Sequence, residues 1–196
     1  MSCKYTCLVL LGLALSSQVA IGQTEQIWIA GAGGGVAFGV NEDRSRPLVP
    51  LERIEAVAFN SVVPGVSPEF VIGYSVLRSD NTGNAFDYKT QLIVPDLRFR
   101  FSPLTTPEWF PYIYLGGGIV IYNVLEVPRA ASGEARLSDA APFFTCGAGL
   151  SHQLFEKIGI DLNFGPSFSM TDDINPVHDG KNDGWWTGLL SVYWIF

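Results

Sequence analysis

Two histidines, three cysteines and 19 acidic side chains bound the chemistry open to this 196-residue chain. Hydrolysis or acyl transfer needs a serine within hydrogen-bond reach of a histidine, with an acid orienting the ring. His152 has Ser151 beside it, but neighbours on an extended strand point to opposite faces. His178 adjoins Asp179, and Ser132 or Ser138 could meet it only through loop folding. With no nucleophile and base placed together, no enzymatic activity is expected. Gly31, Gly33, Gly34 and Gly35 suggest a phosphate loop, yet no Lys-Ser/Thr follows and no helix opens after them. Close strand packing suits them better. Asp172, Asp173, Asp179 and Asp183 could recruit a divalent cation at a surface. The run Asp179 to Gly184 starts like a calcium loop but has Leu190 where the bidentate glutamate belongs, which favours a solvated loop with Asx turns. No cofactor and no resident metal is expected.

A second set of charges sits inside an apolar alternation. Asp96, Arg98 and Arg100 alternate with Pro95, Leu97, Phe99 and Phe101. If the apolar set faces lipid, the charges face inward, because an arginine at a bilayer midplane costs about 2–4 kcal/mol. Folding the preceding strand back brings Glu69 near Arg98 or Arg100, and Asp161 falls at similar depth on a later strand. The expectation is an interior ion-pair network of Glu69, Asp96, Arg98, Arg100 and Asp161.

Such a network needs strands to hold it, and the chain supplies them. Ile158, Ile160, Leu162, Phe164, Pro166, Phe168 and Met170 alternate with small or polar residues. From the last residue back, Phe196, Trp194, Val192, Leu190, Gly188 and Trp186 form another apolar face with aromatics at both ends. Turn signals divide the chain into eight strands: Ile27 to Val40, Ile54 to Val63, Glu69 to Leu77, Thr90 to Phe101, Pro111 to Leu125, Phe143 to Gln153, Ile158 to Met170 and Trp185 to Phe196. Short connections alternate with long polar ones, the mark of an up-and-down antiparallel barrel with its loops on one side. A hairpin hidden in the first long loop would raise the count to ten. Met1 to Gly22 carries one positive charge, an apolar run and small residues ending Ala20-Ile21-Gly22, and reads as a secretory signal peptide removed from a barrel domain of residues 23–196. Cys146 then stands alone, so no internal disulfide is expected.

Composition agrees with a transmembrane wall. Hydrophobic residues make up 47% and charged residues only 16%, well below the roughly 25% of a soluble domain. A net charge of -7 without a basic patch argues against nucleic-acid binding.

The segment Pro111-Tyr112-Ile113-Tyr114-Leu115-Gly116-Gly117-Gly118, the ending Thr171-Asp172-Asp173-Ile174 with Asn182-Asp183-Gly184, and the terminal Phe196 resemble the small bacterial outer-membrane barrels related to outer membrane protein A. The resemblance implies an all-β, eight-stranded transmembrane barrel in the outer membrane of a Gram-negative bacterium. It also implies that Phe196, Trp194, Val192 and Leu190 form the signal read by the barrel-insertion machinery. It implies no single activity. Eight strands leave an interior that side chains fill, so a plugged, monomeric barrel with a structural or surface-interaction role is expected, touching outer-membrane lipid and lipopolysaccharide. A small-solute porin or channel and a lipid A-modifying enzyme are the alternatives within such barrels. A soluble ligand-binding barrel would place the apolar faces inward instead.

Overall fold

The computed structural model describes residues 27–39, 48–59, 64–78, 88–103, 109–126, 138–174 and 182–196. Eight antiparallel strands follow one another around a closed barrel. They are β1 (Ile27–Gly39), β2 (Val49–Phe59), β3 (Val66–Arg78), β4 (Lys89–Phe101), β5 (Trp109–Glu126), β6 (Ser138–Phe155), β7 (Ile158–Ser169) and β8 (Gly184–Ile195). β1 pairs with β8 to complete the ring, so the sheet has no free edge. No ninth or tenth strand is present among the described residues; the signal-peptide segment lies outside them.

The register fixes the barrel's dimensions. Stepping across the hydrogen-bonded partners runs from Ile29 through Val57, Glu69, Arg98, Gly116, Thr145, Ser167 and Trp185, and arrives at Gly39. The return point is ten residues along the first strand (39 − 29), which is the shear of the sheet. Eight strands with that shear, spaced about 4.8 Å apart and rising about 3.3 Å per residue, tilt by roughly 41° and give a backbone radius of about 8 Å. An interior that narrow is filled by one inward layer of side chains from each wall.

Alternation decides which residues form that layer. On β7, Gly159, Asp161, Asn163, Gly165, Ser167 and Ser169 are buried while Leu162, Phe164 and Phe168 stand exposed outside. On β4 the buried set is Thr90, Leu92, Val94, Asp96, Arg98 and Arg100. Exposed Ile54, Phe70, Leu97, Leu115, Phe144 and Leu190 continue the apolar outer face around the ring. Glycines allow the strands to approach: a Cβ on Gly35 would lie 2.0 Å from the Gly188 carbonyl oxygen. That is the close packing expected of the early glycine run.

At the short-connection end, Gly65 adopts φ 82°, a left-handed conformation that glycine takes without strain, and its carbonyl accepts the Ser102 N–H at 2.8 Å. β6 and β7 are joined through Glu156 and Lys157. β2 begins five residues earlier than the charge pattern suggested, at Val49 rather than Ile54. Glu52 and Arg53 look like loop residues in sequence, but Val49, Leu51, Arg53, Glu55 and Val57 form one buried face. β5 and β6 are also longer than expected, at 18 residues each.

Candidate functional site

The lumen is built in three tiers. Toward the long-connection end lies an apolar tier in which Leu92, Val120, Tyr122, Phe143, Trp185 and Leu189 pack together. Phe143 and Trp185 meet with ring centroids 5.5 Å apart. Ile174, just beyond β7, is buried in the same cluster and receives the Thr90 hydroxyl on its carbonyl at 2.8 Å.

The middle tier is charged. Arg100 donates from Nη2 to Glu69 Oε1 at 2.6 Å and from Nη1 to Asp161 Oδ1 at 3.3 Å. Arg53 bonds the same Glu69 oxygen, reaches Asn163 Oδ1 at 3.1 Å and lies 2.8 Å from Glu55 Oε2. Asp161 is the most heavily solvated by protein donors. It accepts the Tyr112 hydroxyl at 2.6 Å, the Ser151 hydroxyl at 2.5 Å and the Asn163 amide at 3.1 Å. These bonds replace the water that a fully buried carboxylate loses. Asp96 and Arg98 form a separate bidentate pair two residues apart on β4, at 2.9 and 2.7 Å. The Arg98 and Arg100 guanidinium groups lie over the Tyr114 and Tyr112 rings at 4.9 and 4.4 Å from the centroids.

Glycines make room for these rings. A Cβ on Gly149 would come within 2.3 Å of Tyr112 Cζ, and one on Gly159 within 2.1 Å of Tyr193 Cζ. A β-strand carrying side chains at those positions could not admit the tyrosines to an interior about 8 Å in radius.

The five residues named from sequence therefore all lie in the lumen, but in two groups. Glu69, Arg100 and Asp161 are joined, whereas Asp96 and Arg98 pair with each other. Arg53 and Glu55 also belong to the first group: Arg53 reads as the end of a polar loop in sequence, and Glu55, on the expected strand, sits too near its start for its lumen face to be assigned. Alternation with Val49, Leu51 and Val57 was the available signal.

The third tier faces the short connections. Phe59, Phe110, Tyr112 and Tyr114 form an aromatic cluster beside a cavity of about 290 Å³. Ile29, Val57, Phe110 and Ile195 line the cavity together with the polar residues Glu55, Arg100, Ser151, Gln153, Glu156 and Tyr193.

The other candidates fall elsewhere. Ser151 points into the lumen onto Asp161, while His152 stacks against Trp109 at 4.0 Å on the outer side. His178, Asp179 and Ser132 lie outside the described residues, and Ser138 is exposed at the start of β6. Asp173 accepts the Thr171 hydroxyl at 3.0 Å, and Asp183 is buried with its N–H on the Thr171 carbonyl at 2.8 Å. Among the described residues no group of three or more His, Cys, Asp or Glu side chains is arranged to hold a metal ion. Leu190, Val192, Trp194 and Phe196 all point outward and are exposed.

No protein-family model and no curated protein sequence matches the chain. Solved structures do. Neisserial surface protein A superposes with a TM-score of 0.59 at 14% identity, over 87% of this chain and 99% of that one. The attachment invasion locus protein Ail of Yersinia pestis gives 0.54 at 13% identity, over 88% and 100%. The outer membrane protein OprG of Pseudomonas aeruginosa gives 0.54 at 12%, over 89% and 98%. These neighbours are small eight-stranded outer-membrane barrels, and the chain shares their fold.

Proposed function

We propose that the protein is an integral outer-membrane barrel of a Gram-negative bacterium, with a structural or surface-interaction role and a closed lumen. The observation that carries this reading is the outer wall. Leu, Ile, Phe and Val side chains stand exposed on every strand from β2 to β8, with Trp28 and Val36 on β1. A soluble monomer seldom exposes an apolar patch beyond a few hundred Å², and a closed ring of such residues fits a bilayer. Trp109 and Trp194 near the short connections and Trp186 near the other end place indoles toward both margins of the wall. Outer-membrane lipid is the partner this wall fits, with lipopolysaccharide around the long-connection end and the insertion machinery reading the outward face of β8.

The filled lumen supports a barrel that does not conduct: the apolar tier and the ion-paired tier lie in series across it. Fractionation tests the location. The protein should stay in the membrane pellet through salt and alkaline washes, dissolve in detergent and migrate differently on gels before and after boiling. Release into the soluble fraction would refute the proposal.

A further inference from the structure

Tyr193 differs from the lumen tyrosines that donate to a carboxylate. Tyr112 bonds Asp161 and Tyr122 bonds Asp173, whereas the Tyr193 hydroxyl makes no hydrogen bond to any of the described residues. Tyr193 is nonetheless inside the barrel, 6% exposed and lining the cavity at the short-connection end. Two glycines set it there. It pairs across the sheet with Gly31 on β1 and Gly159 on β7, and a Cβ on Gly159 would lie 2.2 Å from the hydroxyl oxygen. The phenol ring therefore lies across bare backbone of β7, and no side chain there covers its hydroxyl. Such a group is completed by whatever occupies the cavity.

The cavity lining is mixed, and its charged members are already committed. Arg100 is held by Glu69 and Asp161, and Glu55 Oε2 is sealed from the cavity and lies 2.8 Å from Arg53. Glu156 stands exposed in the turn at the rim, where its charge discourages an anion. The Gln153 amide donates to the Glu156 carbonyl at 3.0 Å. Ser151 donates to Asp161 at 2.5 Å and receives Arg100 Nη1 at 3.5 Å, which leaves its oxygen a lone pair. The polar groups open to a ligand are therefore two neutral hydroxyls, Tyr193 and Ser151, on either side of β7. The apolar lining supplies the rest of the site. Phe59, Phe110 and Ile195 lie within one residue of a strand end, and Ile29 and Val57 lie two residues in, as Tyr193 does.

We propose that this cavity is a binding site for a small uncharged phenol. The ligand hydroxyl accepts from Tyr193 and donates to Ser151, and the ring lies among Ile29, Val57, Phe59 and Phe110. Phe59 and Phe110 are already tilted by 54° with centroids 4.8 Å apart, an arrangement that a third ring extends by edge or offset contact. A cavity of about 150 Å³ holds benzene, so about 290 Å³ admits one substituted ring. A hydrocarbon would leave the Tyr193 hydroxyl unpaired. A charged ligand would find its counter-charge occupied or sealed. The site lies in the lumen and does not depend on what surrounds the outer wall.

The test is fluorine NMR of 4-fluorophenol titrated with the protein purified in detergent, with empty micelles as the blank. A saturable one-site bound signal is expected. Fluorobenzene, which lacks the hydroxyl, should bind about three- to tenfold more weakly. Tyr193→Phe keeps the ring and should weaken 4-fluorophenol by about the same factor while leaving fluorobenzene unchanged. Ile29→Trp, which fills the cavity and leaves both hydroxyls in place, should abolish binding of either. The gel shift on boiling reports that each variant is folded. No saturable signal, equal affinity for fluorobenzene, an unchanged affinity for 4-fluorophenol in either variant, or equally tight binding of 4-fluorobenzoate or 4-fluorobenzylammonium would each overturn the proposal. None of these results bears on whether the protein fractionates with the outer membrane.

Discussion

The guanidinium groups of the lumen differ in what depends on them. Arg100 touches Glu69 and Asp161 and lies over Tyr112, so its removal leaves the buried Asp161 without a charged partner and Glu69 with Arg53 alone. Arg100→Met should destabilise the barrel by about 3–5 kcal/mol, the usual cost of breaking a buried pair on one side. Arg98 has one carboxylate partner, Asp96, on its own strand. Removing both as Asp96→Asn with Arg98→Gln should cost less than Arg98→Gln alone, because no uncompensated charge is left. Reversible urea unfolding in lipid vesicles measures both. Gly159 offers a residue-scale check of packing. Gly159→Val must displace the Tyr193 ring and should cost about 1–3 kcal/mol or more by overpacking.

β2 tests the register of an entire element. Glu52 is exposed on the outer side, while Arg53, one residue on, is buried against Glu69 and Asn163. Glu52→Leu should leave stability within about 0.5 kcal/mol or raise it, whereas Arg53→Leu should cost about 3–5 kcal/mol. Were the strand to begin at Ile54, both positions would be loop and both substitutions mild. The strands read most sharply from sequence were β7 and β8, and β4 from Ile93 to Phe101, because a period of two is plain where every outward residue lacks a polar side chain. β2 was misread because its lumen face carries charge and its outer face carries Glu52 and Pro50, so both faces look polar near its start. The ion-pair group was legible only on strands already placed. Glu69, Arg100 and Asp161 could be found, but the contact of Arg53 with Glu69 could not, since it depends on the neighbouring strand's register. The split of Asp96 and Arg98 into their own pair follows from side-chain direction along β4, which alternation alone does not specify.

For the whole molecule, the question is whether anything crosses the barrel along its axis. Shear and strand number set a backbone radius of about 8 Å, and two different kinds of tier occupy it. The apolar tier excludes hydrated ions by the cost of dewetting them; the charged tier excludes them by occupying the section with Arg53, Arg100, Glu69 and Asp161. Because the tiers act in series, loss of either alone should leave the barrel closed. Phe143→Ala with Trp185→Ala removes most of the aromatic bulk near the long connections but leaves the ion pairs intact. Arg100→Ala loosens the ion pairs but leaves Phe143, Trp185, Leu189 and Tyr122 packed. Planar-bilayer recording should therefore show no steady conductance for the wild-type protein or for either set. Steps should appear only when all three substitutions are combined. They should favour cations, because Glu55, Glu69 and Asp161 would then outnumber the one guanidinium left in their group. Steady steps from the wild-type protein would show that the tiers exchange conformations together. The lumen would then be a gated path, and the ion pairs its gate.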